Sequence, residues 1–216
     1  MSLYQKSDRG MTLLELMVVV AIIGIIAGLA AANLGDSTRR ADVNNFLGTL
    51  GADLENARWV AARRGAPVVF VLKATPDEVE YGLFVETGNE RIVLNPVAAY
   101  PPEEKPGILR LERRRFTSTL VTAGLPANAI PMTFPFHGVY GSLPTGTPGC
   151  TFCTKVGTTM LGGVRIQPDG EVQIPAANDL GGGFVHARSV IDSPAGTRTG
   201  AVGVLAPSGL VRVFLY

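Results

Sequence analysis

The sequence predicts an α+β protein, with a long N-terminal helix packed on an antiparallel β-rich head. Three observations carry this. An almost unbroken apolar run extends from Leu13 to Leu34, with one carboxylate, Glu15, at its start. Beyond it, apolar residues recur at three- and four-residue spacing up to Ala61. After Gly65 the chain changes to short β-branched segments, and most of its 26 glycines and 15 prolines fall there as turn residues. A long helix followed by many antiparallel strands buries the helix across one face of a sheet. The length, 216 residues, suits one domain plus an anchor.

The first ten residues read as a short basic leader that ends at Gly10, with Lys6 and Arg9 ahead of the apolar run. Leu16 to Ala32 contains neither a charged residue nor a proline. With Leu13 and Leu14 it approaches the roughly twenty residues that a helix needs to cross a bilayer. The basic leader places the N-terminus in the cytoplasm, although Arg39 and Arg40 on the far side weaken the charge asymmetry. Glu15 is the anomaly. A carboxylate in a membrane segment costs about 2.5–3.5 kcal/mol even on lenient insertion scales, so it demands a function.

Two ordinary explanations compete. A secretory signal peptide carries its small-residue cleavage site after the apolar core, as Ala30-Ala31-Ala32 superficially does, not a glycine before it. An ordinary single-span anchor has no use for Glu15. Gly24 and Gly28 form a G-x-x-x-G pair, which serves close helix approach or merely loosens the stretch.

Val43, Phe46, Leu47, Leu50, Leu54, Ala57 and Ala61 form an amphipathic stripe that continues the helix. Asp42, Asn45, Asp53, Glu55, Arg58 and Arg63 take the other positions. The stripe is expected to be core, and Trp59 falls at its margin or at a subunit contact. Gly65 and Pro67 stop the helix, and Gly35, Gly48 and Gly51 count against its continuity. The expected divisions are 1–10 leader, 11–34 membrane half of the helix, 35–65 amphipathic half and 66–216 head.

Strands are expected at Pro67–Lys73, Val79–Glu86, Arg91–Leu94, Ile108–Phe116, Gly163–Gln167, Glu171–Ile174, Phe184–Ile191, Ala201–Leu205 and Leu210–Tyr216. Pro168-Asp169-Gly170 and Pro207-Ser208-Gly209 read as tight turns. Gly181-Gly182-Gly183 reads as a flexible loop.

The run Arg9-Gly10-Met11-Thr12-Leu13-Leu14-Glu15-Leu16 resembles the class III signal of type IV pilins and type II secretion pseudopilins. The resemblance implies cleavage by a prepilin peptidase between Gly10 and Met11, N-methylation of Met11, and an assembly role for Glu15 opposite the new N-terminal ammonium. It also implies a single-pass protein of the bacterial inner membrane, its head in the periplasm or exported at a pilus tip. Its partners would be membrane lipid, other minor pilins or pseudopilins, and the major pilin. The proline that many members carry about twenty residues into the mature helix is absent here, where the chain reads Ala31-Ala32-Asn33-Leu34.

Phe134-Pro135-Phe136-His137-Gly138, the Arg165–Gly170 strand-turn and Ser208–Arg212 more narrowly resemble the GspH/FimT group of minor pseudopilins and pilins. That group implies a minor subunit that initiates or caps a filament. Cleavage after Gly10 would remove two of the 19 basic residues and one of the 18 acidic ones, leaving side-chain charge balanced. No bulk attraction to nucleic acid is indicated.

Cys150-Thr151-Phe152-Cys153 is the one motif that suggests catalysis, but it follows a Gly/Pro loop and precedes no helix pattern. Outside the inner membrane a structural disulfide is the expectation. Redox activity, free or intermolecular thiols, and a zinc site completed by His137 and His186 are the lesser alternatives. Arg113, Arg114 and Arg115, with Arg110, form the densest basic cluster. On a strand, Arg113 and Arg115 share one face and Arg114 takes the other. A salt-bridged strand, with Glu103, Glu104 and Glu112 as neutralisers, is the main reading. DNA contact by a DNA-uptake pilin is a less favoured one, since the chain lacks a basic C-terminal tail. A membrane-anchored periplasmic binding or redox domain is the rival from another class. No catalytic motif, metal site or cofactor motif is read, and an enzyme is not expected.

Overall fold

A computed structural model of the chain describes residues 12–75, 78–94, 106–117, 121–123, 150, 152–174, 182–189, 199–206 and 208–215. Helix α1 runs Leu13–Arg64. The chain divides into two compact units, Met1–Thr38 and Arg39–Tyr216.

In the first unit, Thr12 and Glu15 cap each other. The Glu15 amide donates to Thr12 Oγ1 at 3.2 Å, and the Thr12 amide donates to Glu15 Oε2 at 3.4 Å. This reciprocal capping box satisfies two of the amides that every helix start leaves open. The segment Leu13–Ala30, with a mean hydropathy of 2.7, is long and apolar enough to cross a membrane. None of it is buried.

In the second unit, the helix continues to Arg64 and stops at Gly65, whose φ of 62° is the left-handed geometry that glycine supplies at a helix C-terminus. All seven residues of the predicted stripe, Val43 to Ala61, are buried. They lie against a sheet built from β1 (Val68–Ala74), β2 (Glu78–Glu86), β3 (Ile108–Thr117), β5 (Cys153–Val156), β6 (Thr159–Ile166) and β7 (Val172–Gln173). Its order is β3-β2-β1-β6-β5, with β7 on β6, and every pairing is antiparallel. A second antiparallel sheet has the order β10 (Leu210–Leu215), β9 (Thr199–Leu205), β8 (Gly182–Ser189), β4 (Val121–Ala123). The main core joins the helix stripe to both sheets, from Phe70, Tyr81 and Val164 to Val185, Val202 and Val211.

Alternate residues of a strand face opposite sides, and β1 is buried on both. Val68, Phe70 and Leu72 enter the main core, while Val69 and Val71 enter a second cluster with Phe84, Ile92, Leu94, Ile108 and Leu161. This two-sided burial explains why the strand reads as continuous β-branched sequence rather than as alternation.

The structure corrects three expectations. Arg91–Leu94 is not a strand. At Ile92 side chains satisfy the backbone instead: its amide donates to Glu86 Oε1 at 2.7 Å, and its carbonyl accepts from Arg165 Nη2 at 2.8 Å. Gly182 and Gly183 lie within β8 rather than in a loop, paired with Leu205 and Val204. The glycines do not interrupt α1. Gly51 is buried where Val213 of β10 approaches so closely that an added Cβ would lie 2.6 Å from its Cγ2. The turn residues Gly170 and Gly209 have the positive φ that their positions suggest, and Gly209 closes the β9–β10 hairpin through its amide on the Leu205 carbonyl at 2.6 Å.

Burial along the stripe and exposure elsewhere lead to a paired prediction. Leu50→Ala removes a fully buried side chain and should lower unfolding free energy by about 2–5 kcal/mol. Trp59→Ala, at a side chain 74% exposed, should change it by no more than about 0.5 kcal/mol. Denaturant unfolding of the two full-length variants in detergent, followed by circular dichroism, measures both.

Candidate functional site

The expected cleavage site, the helix cap and the exposed apolar surface meet at the start of α1. Gly10 and Met11 lie outside the described residues. Glu15 sits in the first helical turn, its carboxylate turned back onto the amide of Thr12, the residue after Met11. A carboxylate there faces the positive end of the helix dipole. The Thr12-x-x-Glu15 spacing is the sequence signal for this cap, and it adds a local role for Glu15 to the one expected from charge. Beyond it, Leu13, Leu14, Leu16, Met17 and Val18 are all exposed. So large an apolar surface is stable only against lipid or against other apolar helices.

The arginine cluster sits on β3, the edge of the first sheet. Arg114 faces α1. Its Nε donates to Asp53 Oδ2 at 2.7 Å and its Nη2 to Oδ1 at 3.4 Å. Tyr81, paired with Arg114 across β2 and β3, donates its hydroxyl to the same Asp53 Oδ2 at 2.8 Å. Arg113 and Arg115 take the opposite face. Arg113 Nε binds Glu80, while Arg115 Nε lies 3.1 Å from Glu78 and its Nη2 3.9 Å from Glu80. Glu80 is only 2% exposed, and a carboxylate buried that deeply is costly without such cationic partners.

Of the neutralisers expected from sequence, Glu112 lies 4.0 Å from Arg114, and Glu103 and Glu104 are outside the described residues. Asp53, Glu78 and Glu80 do most of the pairing. Nothing local marks them: Asp53 is 61 residues from Arg114 in the chain. Arg114 shares the inward face with its partner Tyr81, and a bulge at Leu111, where pairing passes from Leu83–Glu112 to Phe84–Arg110, then shifts the alternation so that Ile108 joins the second cluster.

Burial first, and the bond to Asp53 second, push the Tyr81 hydroxyl well above its ordinary pKa. The same bond to Asp53 raises that of Arg114.

Cys150 and Cys153 form a disulfide, their Cα atoms 5.4 Å apart. Phe136 and its neighbours, His137 included, lie outside the described residues. His186 is buried on β8. Among the described residues no three His, Cys, Asp or Glu side chains gather as metal ligands.

Known proteins resemble the N-terminal part. A family model described as the prokaryotic N-terminal methylation motif matches residues 5–31. A fimbrial protein of Pseudomonas aeruginosa is 38% identical over 78 residues, 36% of this chain and 49% of that one. Type II secretion system core protein G of Klebsiella michiganensis is 32% identical over 85 residues, 36% of this chain and 60% of that one. Fimbrial protein EcpB of Eikenella corrodens is 38% identical over 62 residues, 29% of this chain and 39% of that one. The chain spans about half the length of the curated relatives it matches. No solved structure matches it.

The Tyr81–Asp53 bond makes stability sensitive to alkali. Tyr81 keeps its proton when folded, whereas unfolded tyrosine loses it above about pH 10. Below that pH both states are protonated and the contribution is complete. Above it the folded state binds more protons than the unfolded one, so stability falls as pH rises. The urea midpoint should drop between about pH 9 and about pH 11, and less steeply in Tyr81→Phe. Equal slopes in both proteins would contradict the assignment.

Proposed function

We propose, for a chain that belongs to the type IV pilin and type II secretion pseudopilin family, that it is a minor subunit that initiates or caps a pilus or pseudopilus. Prepilin peptidase hydrolyses the Gly10–Met11 peptide bond, and the exposed amine of Met11 is then methylated. The subunit waits in the inner membrane on one helix, with its head in the periplasm, until it joins the filament. The observation that carries this reading is the juxtaposition of Glu15 with an entirely exposed apolar helix, Leu13–Ala30, within the matched motif.

The chemistry of recruitment follows from charge. After cleavage the Met11 ammonium stands one residue from the Thr12 amide that Glu15 already holds. In lipid a lone carboxylate is costly and a lone ammonium equally so, and pairing them relieves both. The pair forms within one subunit or between an incoming subunit and the previous one, and the second choice rewards addition to the filament. Exposed leucines, valines and isoleucines from Leu13 to Leu29 supply the helix-to-helix contact that replaces lipid.

Assignment to the GspH/FimT group rests on the sequence likeness of Phe134–Gly138, which lies outside the described residues, and of Arg165–Gly170 and Ser208–Arg212, which fall at the β6–β7 turn and the β9–β10 hairpin. The initiating or capping place is the finer part of the proposal. The partners are sibling minor pilins or pseudopilins, the major pilin and prepilin peptidase. The DNA-uptake reading gains no support from Arg113, Arg114 and Arg115, since each has a carboxylate partner.

Intact-mass analysis of protein from its native membrane tests the processing step. The expected species starts at Met11 and carries one added methyl group. Gly10→Val should leave the chain uncleaved, and Glu15→Ala should be cleaved yet missing from sheared filaments. A native chain cut near Ala32, or Glu15→Ala incorporated at the native level, would overturn the proposal.

A further inference from the structure

We infer that the Cys150–Cys153 disulfide is a redox-sensitive clasp between the two sheets of the head, so that its oxidation state governs the seam between them. This inference is independent of the filament role.

The residues on either side of the bond belong to different sheets. Cys150 forms an antiparallel bridge with Val185 of β8, in the second sheet. Val185 pairs with Val202 of β9 on its other edge. Cys150 therefore occupies the edge of β8 that β4 occupies further along, opposite Ala187–Ser189. Cys153 opens β5 and pairs with Gly162 of β6, in the first sheet. The disulfide thus spans from one sheet to the other in three residues.

Each end is fixed from below. Cys150 is buried in the main core, and so is Phe152, whose ring meets Phe70 of β1 edge-on at 6.2 Å between centroids. Cys153 Sγ lies directly over Gly162, where an added Cβ would come within 2.5 Å of the sulfur. The Phe152 carbonyl oxygen lies 2.7 Å from that same point. The sulfur of Cys153 is therefore positioned by β6, and the covalent bond carries Cys150 to it.

Among the described residues, backbone pairing holds this strand on one side. Thr154, Lys155 and Val156 are exposed, and β5 has just four residues. It is the edge strand of the first sheet, paired with β6 alone among the described residues. Among the described residues the bridge at Cys150 is a single pair, Cys150 with Val185. The disulfide supplies what backbone pairing lacks.

The switching step is thiol–disulfide exchange with a dithiol. One thiolate of the dithiol attacks a cysteine sulfur, the Cys150–Cys153 bond breaks, and the second dithiol sulfur displaces the first cysteine. Two protons pass to the released Cys150 and Cys153 sulfurs. The dithiol leaves as its own disulfide. In the reduced head, Cys150 is tied to Cys153 only through the chain, and β8 loses its bridge partner at Val185.

Hydrogen exchange read by mass spectrometry on the full-length protein in detergent, with and without dithiothreitol, tests the clasp. Reduction should speed exchange by about ten-fold or more at β5 and at Val185–Ala187, with β1, β2 and the helix stripe unchanged. Cys150→Ser/Cys153→Ser should reproduce the reduced pattern and no longer respond to dithiothreitol. Faster exchange confined to residues 150–156, with β8 unaffected, would reduce the bond to a local staple and overturn the clasp. Loss of protection throughout the head on reduction would overturn it too, because the bond would then support the whole core.

Discussion

One helix has to satisfy two surroundings, and most of the molecule follows from that constraint. From Leu13 to Ala30 every side chain is exposed and nearly all are apolar, a surface stable only away from water. From Val43 to Ala61 the same helix carries a stripe that is entirely buried beneath two sheets. Seven stripe residues give the head its core, since each large apolar side chain contributes about 1.5–3 kcal/mol when removed from water. The aromatic residues assemble around it. Phe46 meets Phe116 at 4.8 Å and Tyr81 at 6.4 Å, and Tyr81 stacks on Phe116 at 6.1 Å.

Polar interactions then decide where the helix sits. Asp53 lies on α1 beside the stripe and accepts from both Tyr81 of β2 and Arg114 of β3. A shared carboxylate joins three elements at one point, which fixes their register more sharply than apolar contact does. The same strand turns Arg113 and Arg115 outward onto Glu78 and Glu80. An edge strand is a liability for unwanted pairing, and charges on it oppose that pairing. The cluster therefore has a structural account that uses all three arginines.

The opposite face of the first sheet is closed by a similar device. Arg165 of β6 meets Glu86 of β2 through two bonds, Nε to Oε2 at 3.0 Å and Nη2 to Oε1 at 2.8 Å. Both groups also hold the backbone of Ile92, which brings Ile92 and Leu94 over Val69, Val71 and Phe84. Buried ion pairs seldom add net stability over apolar packing. Their value here is positional, because among the described residues the segment after β2 pairs with no strand.

Local regularities made the helix, its stripe and the strands from Val68 to Glu86 legible in the sequence. A 3.6-residue repeat and a β-branched run each report their own surroundings. The membrane-length apolar segment and its lone carboxylate were legible for the same reason. Arg91–Leu94 was misleading, since its apolar residues mark burial but its backbone bonds go to Glu86 and Arg165. The partners of the arginines, the sheet order with β1 between β2 and β6, and the placement of Cys150 against β8 were decided only by tertiary structure. Each depends on contacts between residues far apart in the chain, and a sequence pattern that repeats every two or four residues carries no information about them.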